Sequence, residues 1–98
     1  MKATITLLCA LLLAACGTPE QRADDGLINV VCTTGMVADL AANIGGDRVA
    51  VTGLMGPGVD PHYFKASQGD LARLMAADLV LFNGLFLEGK MEEIFEKM

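Results

Sequence analysis

The feature that most constrains the fold is a change of apolar spacing that repeats three times between residues 27 and 98. Short apolar runs rich in β-branched residues alternate with segments in which apolar residues recur every three or four positions. The strand-like runs are residues 28–33, 48–54 and 79–82, and the helix-like segments are residues 34–44, 67–75 and 91–98. Strands that alternate with helices predict an α/β fold in the order β-α-β-α-β-α, with a parallel sheet and right-handed crossovers.

Local signals place the ends of these helices. Thr34 is a candidate N-cap for the first helix, and Gly45-Gly46 is typical of its C-terminal end. Ser67 and Asp70 have the spacing of a capping box at the start of the second helix. The sequence therefore predicts helix boundaries as well as helix number.

Each predicted helix carries one apolar stripe, and its charged residues are expected to face solvent. The stripes are Met36, Val37, Leu40, Ala41 and Ile44; Leu71, Leu74 and Met75; and Met91, Ile94, Phe95 and Met98. The glutamates near the C-terminal end, which are Glu88, Glu92, Glu93 and Glu96, are interpreted as a solvated helix face. Asn83-Gly84 is predicted to turn the chain after the third strand.

The N-terminal segment is of a different kind. Residues 3–15 are free of charge and follow Lys2, but the run is too short to span a bilayer, which takes about 20 residues. A positive start, a short apolar run and small residues at its end predict a secretory signal peptide over residues 1–15. The sequence Leu-Ala-Ala-Cys-Gly at 13–17 resembles a bacterial lipobox, so Cys16 is expected to carry a lipid. Residues 16–26 then form a polar, flexible tether, and the folded domain starts at residue 27.

Cysteine number and net charge exclude other classes. Cys9 leaves with the signal peptide, so no disulfide can form within the processed chain. Cys32 lies in an apolar run and is interpreted as a small buried hydrophobe, with metal binding as the alternative. The formal net charge is -5, which is unsuited to nucleic acid, whose phosphates require a basic surface.

The loop after the second strand concentrates the chemical signal. It reads Met-Gly-Pro-Gly-Val-Asp-Pro-His-Tyr-Phe over 55–64, and loops at strand ends commonly carry function in α/β folds. A single loop histidine is more often a surface residue, but Pro57 and Pro61 stiffen the backbone around His62 and favour a metal ligand. Asp60 either orients the imidazole ring or forms a simple Asx-turn. Metal sites usually need three or more protein ligands, so His62 requires partners from elsewhere.

Enzymatic chemistry is weakly supported. The glycines at 53, 56 and 58 follow a strand, but neither a Gly-Lys-Ser/Thr ending nor Gly-x-Gly-x-x-Gly is present. A nucleophile elbow is also missing. We therefore expect a binding protein and not an enzyme, with a Rossmann-like nucleotide-binding or enzymatic domain as the alternative.

Three segments resemble one known family, the TroA-like metal-receptor lipoproteins of manganese, zinc and iron ABC importers (solute-binding protein family 9). They are Val-Val-Cys-Thr-Thr-Gly-Met-Val-Ala-Asp at 30–39, Gly-Leu-Met-Gly-Pro-Gly-Val-Asp-Pro-His at 53–62 and Ala-Asp-Leu-Val-Leu-Phe-Asn-Gly-Leu-Phe-Leu-Glu at 77–88. The resemblance implies two α/β lobes joined by a long helix, with the metal between them. His62 falls on the family's first ligand, and the other ligands would lie beyond residue 98. Residues 27–98 would then be the first part of the N-terminal lobe.

The same resemblance implies a function. The protein would be an exported monomer, anchored through Cys16 to a bacterial membrane and facing the periplasm or the cell exterior. It would capture a divalent transition metal ion (manganese or zinc, or iron) and deliver it to the permease of an ABC importer. A surface adhesin is a further alternative.

Overall fold

The computed structural model describes residues 25–98, so the predicted signal peptide, Cys16 and residues 17–24 of the tether lie outside the described residues. The elements are β1 (Ile28–Cys32), α1 (Gly35–Gly45), β2 (Val49–Gly53), α2 (Gln68–Met75), β3 (Leu79–Leu81) and α3 (Met91–Phe95), with a 3₁₀ turn, Gly46–Arg48, between α1 and β2. The predicted β-α-β-α-β-α order is confirmed.

The three strands form a parallel sheet in the order β2-β1-β3. Val30 of β1 lies opposite Val51 of β2 and Leu79 of β3. The chain moves to one side of β1 and then returns past it, so right-handed crossovers place α1 and α2 on opposite faces of the sheet. The predicted α/β class is confirmed.

The core occupies the sheet face that α2 and α3 cover. Val31, Leu74 and Met91 are almost fully buried there and contact one another. Partly buried apolar residues surround this centre: Leu54, Phe64, Ala66, Leu71, Ala77, Val80, Ile94 and Phe95. The Phe82 and Phe95 rings stack with their centroids 4.5 Å apart, which ties the end of β3 to α3.

The opposite face is covered less completely. Val30 and Cys32 are buried beneath α1, but the apolar stripe of α1 is covered only in part. Met36 is 72% exposed, Leu40 60% and Ile44 78%. Leu40 and Ile44 border an apolar groove between α1 and β3.

The helix caps form as the sequence predicts. The Thr34 hydroxyl accepts a hydrogen bond from the Val37 amide at 3.4 Å. Ser67 and Asp70 make a reciprocal capping box, since the Ser67 hydroxyl accepts from the Asp70 amide and the Asp70 carboxylate accepts from the Ser67 amide. Gly46 follows α1 with φ of 55°, a conformation that glycine adopts at little cost.

Several expectations about the helices and strands were wrong in detail, and each predicted strand extends one residue beyond the end of β1, β2 or β3. β3 ends at Leu81, and the next residue, Phe82, stacks on Phe95. Met75 is 76% exposed, since it lies about 100° around the helix from the buried Leu74. α3 ends at Phe95, so Met98, 57% exposed, does not extend its apolar stripe. None of the helices within residues 25–98 has the length and apolarity needed to cross a membrane.

Candidate metal centre

The loops that follow the three strands meet at one edge of the sheet, because parallel strands all end on the same side. Two hydrogen bonds beyond the strands keep the start of each loop in place. The Thr33 amide donates to the Leu81 carbonyl at 3.1 Å, and the Met55 amide donates to the Thr33 carbonyl at 3.0 Å. The loop that carries His62 therefore leaves the sheet from a fixed point.

Residues 54–67, which include the loop predicted over 55–64, contain neither helix nor strand and are ordered by tight turns. The Val59 amide donates to the Gly56 carbonyl at 3.3 Å, and the Tyr63 amide donates to the Asp60 carbonyl at 3.2 Å. Gly58, with φ of 79°, allows the first turn to close. These two turns set the position of His62 relative to the sheet.

Asp60 contacts both the backbone and the ring of His62. Its Oδ1 atom accepts a hydrogen bond from the His62 amide at 3.0 Å and lies 2.8 Å from His62 Nδ1. The Asx-turn and the ring contact, which the sequence left as alternatives, are therefore both present. Both side chains are exposed, with 59% of His62 and 55% of Asp60 accessible to solvent.

This contact determines which ring nitrogen is available. The side-chain and backbone hydrogen bonds from His62 lower the pKa of Asp60 below its ordinary value, so Asp60 is ionised and accepts. In a neutral imidazole, the Nδ1 atom then carries the proton and the Nε2 atom carries the lone pair. This is the arrangement of metal-binding histidines, in which the second nitrogen donates to a carboxylate outside the coordination sphere.

The described part of the chain does not supply a complete metal site. Residues 25–98 contain no group of three or more His, Cys, Asp or Glu side chains that could bind a metal ion together. Cys32 is a free thiol with no exposed surface, as predicted for a buried hydrophobe, and burial raises its pKa. His62, with Asp60 beside it, is the sequence-predicted site residue for which the geometry suits a ligand.

Sequence reasoning was wrong about Glu88, which is fully buried and lies before α3 instead of on its solvated face. Its carboxylate accepts hydrogen bonds from the Thr33 hydroxyl at 2.9 Å, from the Asn83 amide and side chain, and from the Gly84 amide. Burial alone would raise the pKa of Glu88, but the hydrogen bonds from Asn83, Thr33 and Gly84 outweigh it and lower that pKa. Glu88 is therefore a buried anion that joins the ends of β1 and β3.

The chain is similar to metal-binding proteins along most of its length. The manganese-binding lipoprotein MntA of Bacillus subtilis is 55% identical over 87 residues, which are 88% of this chain and 28% of that protein. The zinc-binding protein TroA of Treponema pallidum is 52% identical over 79 residues, which are 81% of this chain and 26% of that protein. The chain thus spans roughly a quarter of the length of these two relatives.

The fold agrees with the sequence similarity. The solved structure of the periplasmic zinc-binding protein TroA from Treponema pallidum superposes with a TM-score of 0.71 at 54% identity, over 74% of this chain and 26% of that chain. The sequence profile of one family, described as zinc-uptake complex component A, periplasmic (ZnuA), matches residues 30–98, which include β2, β3, the last three residues of β1 and the His62 loop. The chain belongs to this ZnuA family of metal-uptake components.

Proposed function

We propose that the chain is part of the extracytoplasmic substrate-binding component of an ABC importer. This protein captures a divalent transition metal ion and delivers it to the membrane permease. The cargo is manganese or zinc, with iron as a third candidate; MntA is named for manganese and TroA for zinc. Residues 27–98 form the first part of its N-terminal lobe, and the remaining metal ligands come from residues beyond 98.

The observation that supports this proposal most strongly is the pairing of Asp60 with His62. The carboxylate 2.8 Å from Nδ1 fixes the ring and its tautomer, and leaves Nε2 as a lone-pair donor. Pro61 and the two turns of the loop limit the backbone, so little entropy is lost when a metal binds. A neutral imidazole suits manganese, zinc and iron, and additional carboxylates or histidines would decide among them.

The proposed protein performs no covalent chemistry. The family profile describes an uptake component, which argues against the Rossmann-like enzymatic alternative. The adhesin alternative stays a prediction from the sequence. We also propose that the receptor acts as a monomer and does not bind nucleic acid, consistent with its net charge of -5.

The proposed receptor is exported and attached to a bacterial membrane by a lipid on Cys16. Its relative MntA is named a lipoprotein, and the lipobox-like sequence at 13–17 precedes a polar tether. Attachment by lipid would place the metal loop, which is residues 54–67 around His62, outside the cytoplasmic membrane, facing the periplasm or the cell exterior.

The test is titration calorimetry of Mn²⁺ and Zn²⁺ with the full-length protein and its His62→Ala variant. Loss of a ligand should weaken binding by at least about 100-fold, the upper end of what loss of an outer hydrogen-bond partner costs. Tyr63→Ala is the matched control, because it removes the neighbouring ring, which is 82% exposed. That control should bind as the wild type does. Equal affinities of His62→Ala and Tyr63→Ala would remove His62 from the metal site.

A further inference from the structure

The turn after β3 has an unusual backbone. Gly84, Leu85 and Phe86 have φ of 82°, 54° and 62°, which is a run of three left-handed residues, and Gly89 follows with φ of 53°. Residues other than glycine disfavour the left-handed region, so contacts with the surroundings must stabilise this turn. Apolar burial is not the reason, since Leu85 is 98% exposed and Phe86 is 79% exposed.

Carboxylates stabilise the turn instead. The buried Glu88 accepts from the amides of Asn83 and Gly84, where the turn begins, at 2.5 and 3.0 Å. Glu92 accepts from the Phe86 amide at 2.6 Å, where the left-handed run ends. Thr33 donates to the same Glu88 carboxylate and so attaches the turn to the central strand β1.

The turn fixed in this way contacts the metal loop directly. Gly89 lies against the backbone of His62 so closely that a Cβ atom on Gly89 would overlap the His62 carbonyl oxygen. The same atom would lie 3.2 Å from the His62 carbonyl carbon and 3.4 Å from its Cα atom. The left-handed φ favours glycine at this position, and the close approach to His62 leaves no room for a Cβ atom.

We propose that Glu88 and Gly89 are positioning residues for His62, an inference that rests on the proposed function of the metal loop. Asp60 orients the ring of His62 from one side. The turn 84–89, fixed by Glu88, supports the backbone of His62 from the other side through Gly89. Metal affinity then depends on a buried carboxylate that does not touch the metal, because it determines where the imidazole stands.

The test compares Gly89→Ala with Gly46→Ala in the full-length protein. Gly46 also has a positive φ, 55°, with ψ of -128°, but a Cβ atom there meets nothing within 4 Å, so this control places a side chain at positive φ without the clash. Both variants should lower the melting temperature. Gly89→Ala alone should weaken Zn²⁺ and Mn²⁺ binding, by about 10- to 100-fold as for loss of an outer-sphere partner, and should shift the ¹⁵N signals of the His62 ring in metal-free protein.

Glu88→Gln should act in the same direction, since its amide group turns a donor toward a cluster of donors. If that variant fails to fold, the glycine pair still decides the question. Equal metal affinity and equal His62 ring signals in Gly89→Ala and Gly46→Ala would overturn the inference. If His62→Ala weakens binding and Gly89→Ala does not, only the positioning role fails; if His62→Ala has no effect, the proposed function of the loop fails as well.

Discussion

The Thr33 hydroxyl donates a hydrogen bond to the Glu88 carboxylate at 2.9 Å, across 55 positions of sequence and with both side chains fully buried. This contact joins the end of the central strand β1 to the turn that supports His62. A buried carboxylate is costly unless its oxygens are satisfied, and here hydroxyl, amide and side-chain donors all converge on one group. The contact thus links the stability of the fold to the shape of the metal loop.

Thr33→Val should destabilise the protein by about 1.5 kcal/mol, because it removes one donor to a buried charged acceptor at nearly constant volume. Urea unfolding of the full-length protein measures this loss. Thr33→Ser is the matched control, since it keeps the hydroxyl and should lose less stability. A Thr33→Val variant that is more stable than Thr33→Ser would show that the hydroxyl does not support Glu88.

The same carboxylate predicts how stability depends on pH. The folded pKa of Glu88 is lowered, so its contribution is complete above the ordinary glutamate value of about 4.3 and is lost as pH falls through the lower folded value. The free energy of unfolding should therefore decrease in acid, and decrease less steeply in Glu88→Gln. Asp60 and Asp70, whose pKa values are also lowered, keep part of the slope in the variant. Identical slopes in both proteins would contradict an ionised Glu88.

The helices and strands of this chain could be predicted because their signals are local. The alternation of apolar spacing fixes the order of elements, and Thr34 and Ser67 act on amides only three residues away. Parallel pairing and right-handed crossovers then leave few topologies for three strands. Burial was predicted less well, since Met75 lies around the helix from the buried Leu74 and Met98 lies beyond the end of α3.

The candidate site was predictable only in part, for the same physical reason. His62 and Asp60 are two residues apart, and their contact is made within one turn. Glu88 was assigned to a solvated face because it belongs to a run of glutamates near an amphipathic helix, yet α3 begins only at Met91. Its donors come from Thr33 and from the Asn83-Gly84 turn, which only the folded sheet brings together. The local sequence signal for a buried acceptor such as Glu88 was the Asn83-Gly84 turn, because the free backbone amides of a turn need a hydrogen-bond acceptor.

The capping box offers a test of stability that should leave the metal site unchanged. Ser67→Ala removes the acceptor for the Asp70 amide, and loss of such an N-cap costs about 1 kcal/mol. Thermal unfolding should show the loss, while metal titration should give the wild-type affinity. Gln68→Ala, at the first position of the same helix, is the control and should have little effect on either quantity. A change in metal affinity in Ser67→Ala would mean that α2 is coupled to the loop.

Lipid attachment is a separate prediction that rests on the sequence, since Cys16 lies outside the described residues. Cells that express the protein with labelled palmitate should incorporate label into the wild type and none into Cys16→Ala. Cys32→Ala serves as the control, because that thiol is buried in the folded domain and should not be modified. Absence of label from the wild type would reject the lipid anchor.

The contact between Asp60 and His62 leads to a prediction about affinity that is independent of the Glu88 turn. Asp60→Ala removes the acceptor for both the Nδ1 proton and the His62 amide, so ring and loop lose their orientation together. Metal affinity should fall by about 10- to 100-fold. Asp60→Asn should lose less, because its amide oxygen can still accept these hydrogen bonds.

Asp47→Asn is the control for the change in net charge, since Asp47 is exposed and precedes β2 at the opposite edge of the sheet. Calorimetry on the full-length variants measures the affinities, and ¹⁵N spectra of the His62 ring report the tautomer. If Asp60→Ala binds metal as tightly as Asp47→Asn and keeps the Nδ1 proton, then Asp60 forms the turn without orienting the ligand.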